Sequence, residues 1–237
     1  MVRTYVVNIG RFEEETAYRE ALSAVSEYRR HKIAALKHEK EKKRSLGAAF
    51  ALNAALACHG LCEKDMEYVL GSQGKPALRG YPELHFSLSH AGDYAVCSMG
   101  ERETGCDIER VRPGKMRVAD RFYTEEERDW LYRAEEPEER ESRMFRLWTM
   151  KESFLKVTGR GMSLSMRDFT ALPEKGGMGS VKHSINNKCY YLKEYDLPAV
   201  FGETERYRIC VCQEAAESGQ PAFGEEPYFA QEPEAVF

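Results

Sequence analysis

Two acidic side chains, Asp107 and Glu109, stand two positions apart in the short apolar segment Thr104 to Glu109, which has turn residues on both sides. Side chains two positions apart on a β-strand share a face, so the carboxylates converge while Ile108 points to the opposite face. Neighbouring carboxylates repel each other unless one is protonated or a cation lies between them, and such hard oxygen ligands suit Mg2+. The segment predicts either a metal site or a pair of solvated acids on an edge strand.

A second pair of charged residues, Glu152 and Lys156, stands four positions apart in a strongly helical pattern from Ser142 to Val157. This spacing puts both side chains on one face of the helix, and Gly159 is a typical residue to end it. As an isolated pair they would form a surface ion pair that stabilises the helix only slightly. Taken alone, the pair therefore predicts a solvated helix face.

Basic residues are dense in the segment Lys37 to Arg44, with Arg29 and Lys32 upstream of it. Such a run is typical of a solvated helix face with opposite charges three or four residues apart. The alternative is an anion-binding site, because a nucleotide phosphate needs several cations presented together when each exposed ion pair alone is weak. The residues themselves leave both interpretations open.

Lys75 and the pair Ser89-His90 are further candidates for ligand contacts. Lys75 lies between Gly74 and Pro76, where a rigid turn can hold its ammonium group in a fixed place. Ser89 and His90 close a predicted strand at its loop end, where polar groups can face a ligand. An exposed turn lysine and a structural histidine are the alternatives.

Helices and strands must position these side chains. The first nine residues predict a strand, residues 13–57 predict helical structure that ends near Gly60, and residues 66–100 predict a small antiparallel sheet. In the second half, Thr124 and Glu127 have the spacing of a capping box, which predicts a helix that runs to about Arg133. An acidic loop at 135–139, the helix of 142–157 and strands within 163–173 and 188–212 follow.

Composition excludes several classes of protein. The chain has 237 residues, of which 42% are hydrophobic, and this is enough for a sizeable core in one large domain or two lobes. Its net charge of -4 argues against a wholly basic nucleic-acid binder, and no segment is apolar enough for a membrane span or leader, so we expect a cytoplasmic protein. Seven scattered cysteines favour reduced thiols over a disulfide framework, and no second ligand pair supports zinc at Cys58 and Cys62.

Four segments stand in an order that carries a family resemblance. They are Gly74-Lys75-Pro76, Phe86-x-x-Ser89-His90, Gly105-x-Asp107-Ile108-Glu109, and Trp148-Thr149-Met150-Lys151-Glu152-Ser153-Phe154-Leu155-Lys156. In this order they resemble the motifs of the Sfp-type 4'-phosphopantetheinyl transferases over most of positions 29–161. The last segment is the most specific of the four. The resemblance departs at Ser87 and Ala91, where the family usually has Asn and Ser, and at Cys106, where an aliphatic residue is common.

The resemblance implies an α+β fold made of a pseudo-twofold pair of similar lobes, each a small antiparallel sheet with packed helices. We expect the N-terminal lobe to comprise residues 1–102 and the C-terminal lobe residues 103–213, with the boundary near Gly100 to Glu103. Coenzyme A would bind in the cleft between them. Residues 214–237, which are rich in Glu, Pro and Gly, are expected to form an acidic, loosely held tail.

The resemblance also implies roles for individual residues. Asp107, Glu109 and Glu152 would bind Mg2+ together with the diphosphate of coenzyme A, and Glu152 would be the general base, directly or through a water molecule. Lys156 and His90 would complete the catalytic set. The residues that would contact coenzyme A are Arg29, Lys32, Arg44, Lys75, Ser89, His90 and Lys156.

The implied reaction is Mg2+-dependent transfer of 4'-phosphopantetheine from coenzyme A to a serine of an apo acyl or peptidyl carrier protein. The family type also implies a monomer, because one chain already supplies both halves of the cleft. An alternative is a non-catalytic module of the same fold that binds coenzyme A or a carrier protein. A nucleic-acid binder that acts through residues 37–44 is disfavoured by the acidic total charge and the lack of interleaved aromatic residues.

Overall fold

The computed structural model describes residues 1–114, 116–197, 206–216 and 219–230, and it is built on two sheets, each covered by a long helix. The helices are α1 (Glu15–Ser23), α2 (Glu27–Ala34), α3 (Glu39–Ala57), α4 (Arg117–Phe122), α5 (Glu125–Tyr132) and α6 (Pro137–Thr158). The strands are β1 (Arg3–Asn8), β2 (Tyr68–Leu70), β3 (Pro76–Leu78), β4 (His85–Ala91), β5 (Tyr94–Gly100), β6 (Thr104–Arg110), β7 (Phe169–Pro173), β8 (Met178–His183), β9 (Tyr190–Leu197), β10 (Tyr207–Glu214) and β11 (Tyr228–Phe229).

The two halves share one connectivity. In the first half, β1 leads through helices to α3 and then to the hairpin of β4 and β5, and β5 pairs antiparallel with β1. In the second half, β6 leads through helices to α6 and later to β9 and β10, and β10 pairs antiparallel with β6. The sheet orders are β11-β1-β5-β4 and β6-β10-β9-β8-β7, while β2 and β3 form a separate hairpin. The fold is therefore the expected α+β arrangement with a repeated lobe.

Each long helix packs on two paired strands of its own half, the central pair in the first sheet and the edge strand β6 with its neighbour β10 in the second. Helix α3 lies on β1 and β5, and helix α6 lies on β6 and β10. The predicted helical stretch 13–57 is divided into three helices, and Ser26 marks the first break by capping the start of α2, where it accepts a hydrogen bond from the Arg29 amide. Besides the apolar core under each long helix, one apolar cluster joins the halves: Val6 and Val96 of the first sheet pack with Ile108 and Ile209 of the second. This shared core holds the two sheets against each other.

The helices of the second half confirm one sequence prediction and correct another. The capping box of Thr124 and Glu127 is present at the start of α5, which runs to Tyr132. The predicted acidic loop at 135–139 is wrong in part, since α6 already begins at Pro137. Proline suits the first position of a helix, and the acids that follow it interact favourably with the positive end of the helix dipole.

The expected loose tail is wrong for residues 219–230, which pack against the first half. Tyr228 and Phe229 of β11 pair in parallel with Tyr5 and Val6 of β1, and the rings of Tyr5 and Tyr228 are stacked. The Tyr195 hydroxyl also donates a hydrogen bond to the Gly224 carbonyl. The segment is held because the edge strand β1 offers unpaired backbone groups. Residues 217, 218 and 231–237 of the predicted tail, and 198–205 of the predicted strands, lie outside the described residues.

The change from one sheet to the other occurs between Gly100 and Thr104, which is where the sequence predicts the lobe boundary. The division at residue 102 stays a prediction. Across the described ranges, the model contains no helix with the length and apolar content that a bilayer span requires.

Candidate active site where β4, β6 and α6 meet

A glycine allows α6 to lie directly on β6. A β-carbon built on Gly105 would lie 2.0 Å from the Ser153 carbonyl oxygen and 2.5 Å from the Val157 nitrogen, so only glycine permits this approach. The contact brings the helix face that carries Glu152 and Lys156 to the strand that carries Asp107. Gly105 belongs to one of the sequence motifs, but its close contact with α6 was not predicted. An isolated glycine in a strand is a known signal of close backbone approach and could have indicated it.

Asp107 is the centre of the site. It is buried, and its Oδ1 atom accepts hydrogen bonds from the Ser89 hydroxyl and from the Lys156 ammonium group, each at 2.8 Å. Its Oδ2 atom is buried without a hydrogen-bond partner in the described residues. A buried carboxylate oxygen without a partner is costly, so Oδ2 is suited to receive a cation or a donor from a ligand.

Glu152 belongs to the same electrostatic cluster. Burial raises the pKa of Glu152, and the negative charges of Asp107 and, to a smaller extent, Glu109 raise it further, while Lys156 lowers it. Asp107 and Glu109 are both on β6, as the sequence predicted for acids two positions apart. Among the described residues, no three His, Cys, Asp or Glu side chains are close enough to form a complete metal site. The raised pKa of Glu152 thus reflects burial first and the charge of its acidic neighbours second.

Lys156 and His90 are the basic residues of the site, and their pKa values shift in opposite directions. Burial is the largest single influence on Lys156 and lowers its pKa. Asp107, Cys106 and Glu152 together raise the pKa by more, so it is raised overall and the ammonium group stays charged. Burial lowers the pKa of His90, and the nearby cations Arg44 and Lys156 lower it further although Glu41 opposes them. His90, Arg44 and Lys156 therefore share one electrostatic neighbourhood.

Arg44 and Lys75 lie at the edges of the site with their charges engaged. Arg44 donates from Nε to the Gly92 carbonyl in the turn between β4 and β5. Lys75 donates to the Glu103 carboxylate at 2.7 Å and to the Thr104 carbonyl at 3.0 Å, at the start of β6. The hydrogen bond from His85 is the largest influence that lowers the pKa of Glu103 to about 2, and Lys75 adds to it.

Two of the predicted coenzyme A contacts, Arg29 and Lys32, are not brought to this cluster. Arg29 is 2% exposed, its Nε lies 3.9 Å from the Glu63 carboxylate, and its guanidinium carbon is 5.9 Å from the centres of the Tyr28 and Tyr68 rings. Lys32 lies one turn further along α2 with its side chain reaching solvent, and its pKa is lowered by partial desolvation and by the charge of Arg29. Arg29 is thus enclosed in the first lobe.

The contacts of β4 explain how the strand tolerates its departures from the family pattern. The Ser87 hydroxyl accepts a hydrogen bond from the Cys106 amide, and the Cys106 thiol donates to the Ser87 carbonyl. Ser87 and Ser89 share one strand face, so this face is tied to β6 at two successive points. Because the single hydroxyl proton of Ser89 is used on Asp107, its predicted contact with a coenzyme A phosphate stays a prediction.

Taken together, the site presents a buried carboxylate with one unpartnered oxygen, a second carboxyl with a raised pKa, and an ammonium group held by hydrogen bonding. Such a set can bind a cation, hold a phosphate group and accept a proton. These capabilities are typical of phosphoryl transfer.

Comparison with known proteins agrees with this chemistry. A family model described as the 4'-phosphopantetheinyl transferase superfamily matches residues 103–212. A 4'-phosphopantetheinyl transferase of Bacillus subtilis is 30% identical over 192 residues, which cover 81% of this chain and 83% of the relative. The 4'-phosphopantetheinyl transferase Sfp of Bacillus subtilis strain 168 is 28% identical with the same coverage.

Among solved structures, a holo-(acyl-carrier-protein) synthase from Bacillus anthracis in complex with CoA (3',5'-ADP) matches with a TM-score of 0.34 and 20% identity. The match covers 41% of this chain and 91% of that structure. The sequence relatives span most of both chains, and the residues that meet at Asp107 are those of the motifs that suggested the family. The chain belongs to the Sfp-type 4'-phosphopantetheinyl transferase family.

Proposed function

We propose that this protein transfers 4'-phosphopantetheine from coenzyme A to a serine hydroxyl of an apo acyl or peptidyl carrier protein. The serine oxygen forms a bond to the β-phosphorus, the bond from that phosphorus to the nucleotide breaks, and adenosine 3',5'-bisphosphate leaves. The observation that carries the proposal is the state of Asp107, whose Oδ1 is held by Ser89 and Lys156 while its buried Oδ2 has no partner in the described residues.

We infer that the metal of this site is Mg2+, held by Asp107, Glu109 and Glu152 together with diphosphate oxygens. The described side chains do not form a complete three-ligand site by themselves, so the diphosphate oxygens would have to complete it. The donors present fit such an ion: Asp107 Oδ2 is unpartnered, and the pKa of Glu152 is raised by burial and by neighbouring acids, so a cation would offset their charge. When bound, Mg2+ would offset the phosphate charge that repels a nucleophile. Oxygen ligands are the type that this ion prefers.

The other residues bind, orient and move protons. Lys156, which now donates to Asp107, is placed to donate to the transferring phosphate, and its raised pKa keeps it cationic. Glu152 accepts the serine proton, directly or through water, because a raised pKa brings a carboxylate closer to neutral pH. His90 and Arg44 bind nucleotide phosphate, and Lys75 binds the nucleotide side.

The same proposal includes a monomeric protein of the cytoplasm. One chain supplies both β4 and β6, so the site needs no second copy. Four of the cysteines, at positions 97, 106, 210 and 212, are buried free thiols, which suits a reducing compartment. The carrier protein supplies the serine, and coenzyme A is the co-substrate.

Intact-protein mass spectrometry tests the reaction. A purified apo acyl carrier protein and an apo peptidyl carrier protein are each incubated with this protein, coenzyme A and Mg2+. We expect one carrier to gain the mass of one phosphopantetheine group, and we expect the gain to vanish with EDTA. Binding of coenzyme A, seen as a raised melting temperature, with no mass gain on either carrier would favour a non-catalytic module instead. A gain that persists in EDTA would contradict the metal assignment.

A further inference from the structure

Helix α6 carries a buried charge next to the proposed metal ligand Glu152. Lys151 and Glu127 are both 0% exposed, and the Lys151 ammonium group lies 2.6 and 2.7 Å from the two carboxylate oxygens of Glu127. The same ammonium group donates to the Phe169 carbonyl at 2.9 Å and lies 4.3 Å from the centre of the Phe169 ring. Three elements, α5, α6 and β7, are therefore joined at one point.

The Glu127 carboxylate does more than cap its own helix. The capping box needs only the bonds between Thr124 and Glu127, which are present. The carboxylate also accepts a hydrogen bond from the Ala171 amide of β7 at 2.8 Å, in addition to the two from Lys151. A buried ion pair is costly to desolvate, and well-packed apolar residues often replace one without loss of stability. Stability alone is therefore a weak reason for this pair.

The positions of the contacts around α6 suggest what the pair does. With about 100° of rotation per residue, Ser153 and Val157 lie about 200° and 240° around the helix axis from Lys151. Those two residues are packed against Gly105 of β6. Glu152 and Lys156 lie between the two contacts, at about 100° and 140°. The helix is thus fixed on two nearly opposite sides and presents Glu152 and Lys156 from the side between them.

We propose that Glu127 and Lys151 are positioning residues that hold α6 in the rotation at which Glu152 and Lys156 face Asp107. The inference rests on the proposed function, because it gives the pair a role in metal binding. Gly105 sets the distance between helix and strand, and the buried pair sets the angle of the helix about its own axis. Neither residue touches the substrate. Both act through Glu152 and Lys156.

A double variant and a matched control test this role. In Glu127→Gln/Lys151→Met the tether is lost. The glutamine oxygen keeps the capping bond from the Thr124 amide, and its NH2 group can donate to the Phe169 carbonyl that Lys151 leaves, while the Ala171 amide loses its acceptor. The single variant Lys151→Met is a harsher second test, because it leaves Glu127 buried without its cation. The control is Glu126→Gln/Lys182→Met, which removes an exposed pair at 2.7 Å that also links α5 to the sheet.

The readouts separate positioning from folding. Mn2+ serves as the metal probe in the presence of coenzyme A, and electron paramagnetic resonance counts the free ion well below the melting temperature of each variant. Transfer to the carrier protein is measured against Mg2+ concentration. We expect the double variant to bind Mn2+ about tenfold to a hundredfold more weakly, as is usual when a residue that orients a metal ligand is lost. The control variant should bind Mn2+ like the unaltered protein.

Two results would overturn the inference: unchanged Mn2+ affinity in the folded double variant, whatever its melting temperature, or absence of Mn2+ binding by the unaltered protein. A lower melting temperature with normal Mn2+ affinity shows a purely structural pair. If the unaltered protein binds Mn2+ but modifies no carrier, the proposed function fails, and the Mn2+ affinities still decide the role of Glu127 and Lys151.

Discussion

The acidic wall of the site, formed by Asp107, Glu109 and Glu152, differs from the N-terminal cations Arg29, Lys32 and Arg44 in how the chain positions it. The wall comes from one strand and one helix that touch at Gly105. Short-range periodicity and this close contact bring its members together, and we propose that the buried pair of Glu127 and Lys151 fixes the rotation of the helix. The cations come from two helices, α2 and α3, whose rotations depend on the core beneath them. Cationic residues on different helices form one phosphate site only when the rotation of each helix turns them toward the same point.

The largest expected effect is on the acidic wall. Asp107→Ala removes the oxygen that we propose for the metal, and it should lower carrier modification more than about a thousandfold, since a metal contributes several kcal/mol to such a transition state. The protein should remain folded, because Lys156 is partly exposed and can bind water in place of Asp107. Mass spectrometry measures carrier modification, and circular dichroism checks that the variant is folded. Glu101→Ala is the control, because Glu101 is an exposed acid. An active, folded Asp107→Ala protein would remove the wall from the mechanism.

Gly105→Ala tests whether the close contact builds the wall. The added carbon would overlap the Ser153 carbonyl, so α6 must move away from β6, with a loss of about 3 kcal/mol in the free energy of unfolding. Urea unfolding measures the loss, and transfer activity should fall with it because Glu152 and Lys156 move from Asp107. Gly224→Ala is the control, since a β-carbon there meets nothing closer than 3.5 Å. Equal stability of the two variants would falsify the role of Gly105.

Arg29→Leu tests whether the first cation belongs to the core of the lobe. We expect a loss of about 1–3 kcal/mol in the free energy of unfolding, because buried Glu63 loses its cation. The KM for coenzyme A should change little in the protein that remains folded. The control is Lys32→Ala on the same helix, which should leave the free energy of unfolding unchanged because the side chain reaches solvent. If Arg29→Leu raises KM and leaves urea unfolding unaltered, Arg29 belongs to the ligand site after all.

Arg44→Ala tests the cation that does lie near the site. It shares the neighbourhood of His90 and Lys156, so its loss should raise the KM for coenzyme A about tenfold, the scale of one charge-assisted hydrogen bond. The loss in stability should stay within about 1 kcal/mol, because the Arg44 pair with Glu41 is partly exposed and its bond to the Gly92 carbonyl can be replaced by water. Steady-state kinetics with Lys43→Ala as the control decides this, because Lys43 is adjacent on α3 and pairs with Glu13. Equal KM values in the two variants would separate Arg44 from the nucleotide.

The smallest expected effect concerns Glu103, whose carboxylate accepts a hydrogen bond from Lys75. The hydrogen bond from His85 and the charge of Lys75 lower the pKa of Glu103 from 4.5 to about 2. The folded state therefore gains stability from this carboxylate above pH 4.5 and loses it as the pH falls from 4.5 to about 2. Because the side chain is 44% exposed, the contribution should stay within about 1 kcal/mol. Urea unfolding of Glu103→Gln should show a weaker acid dependence in that range, and an unchanged dependence would contradict the assignment.

Several features could be predicted because they depend on neighbours in the sequence. The capping box at Thr124, the glycine that ends α6 in a left-handed conformation, and the shared face of Asp107 and Glu109 are local. The start of α6 at Pro137 was also local in cause, yet the acidic residues beside it favoured a loop in the sequence interpretation. The packing of residues 219–230 onto β1 was not predictable, because composition does not reveal that an edge strand is available elsewhere.

By itself, the sequence determined the family, the α+β fold and the residue types of the site. The order of the motifs and the helical and strand periodicities can be recognised without any knowledge of packing. Tertiary structure alone decided that Ser89 and Lys156 meet one oxygen of Asp107, that Arg29 is enclosed beside Glu63, and that Glu127 binds Lys151. The physical reason is that a charged side chain is placed by whichever distant partner can compensate it on burial. Such partners lie many residues away in the chain.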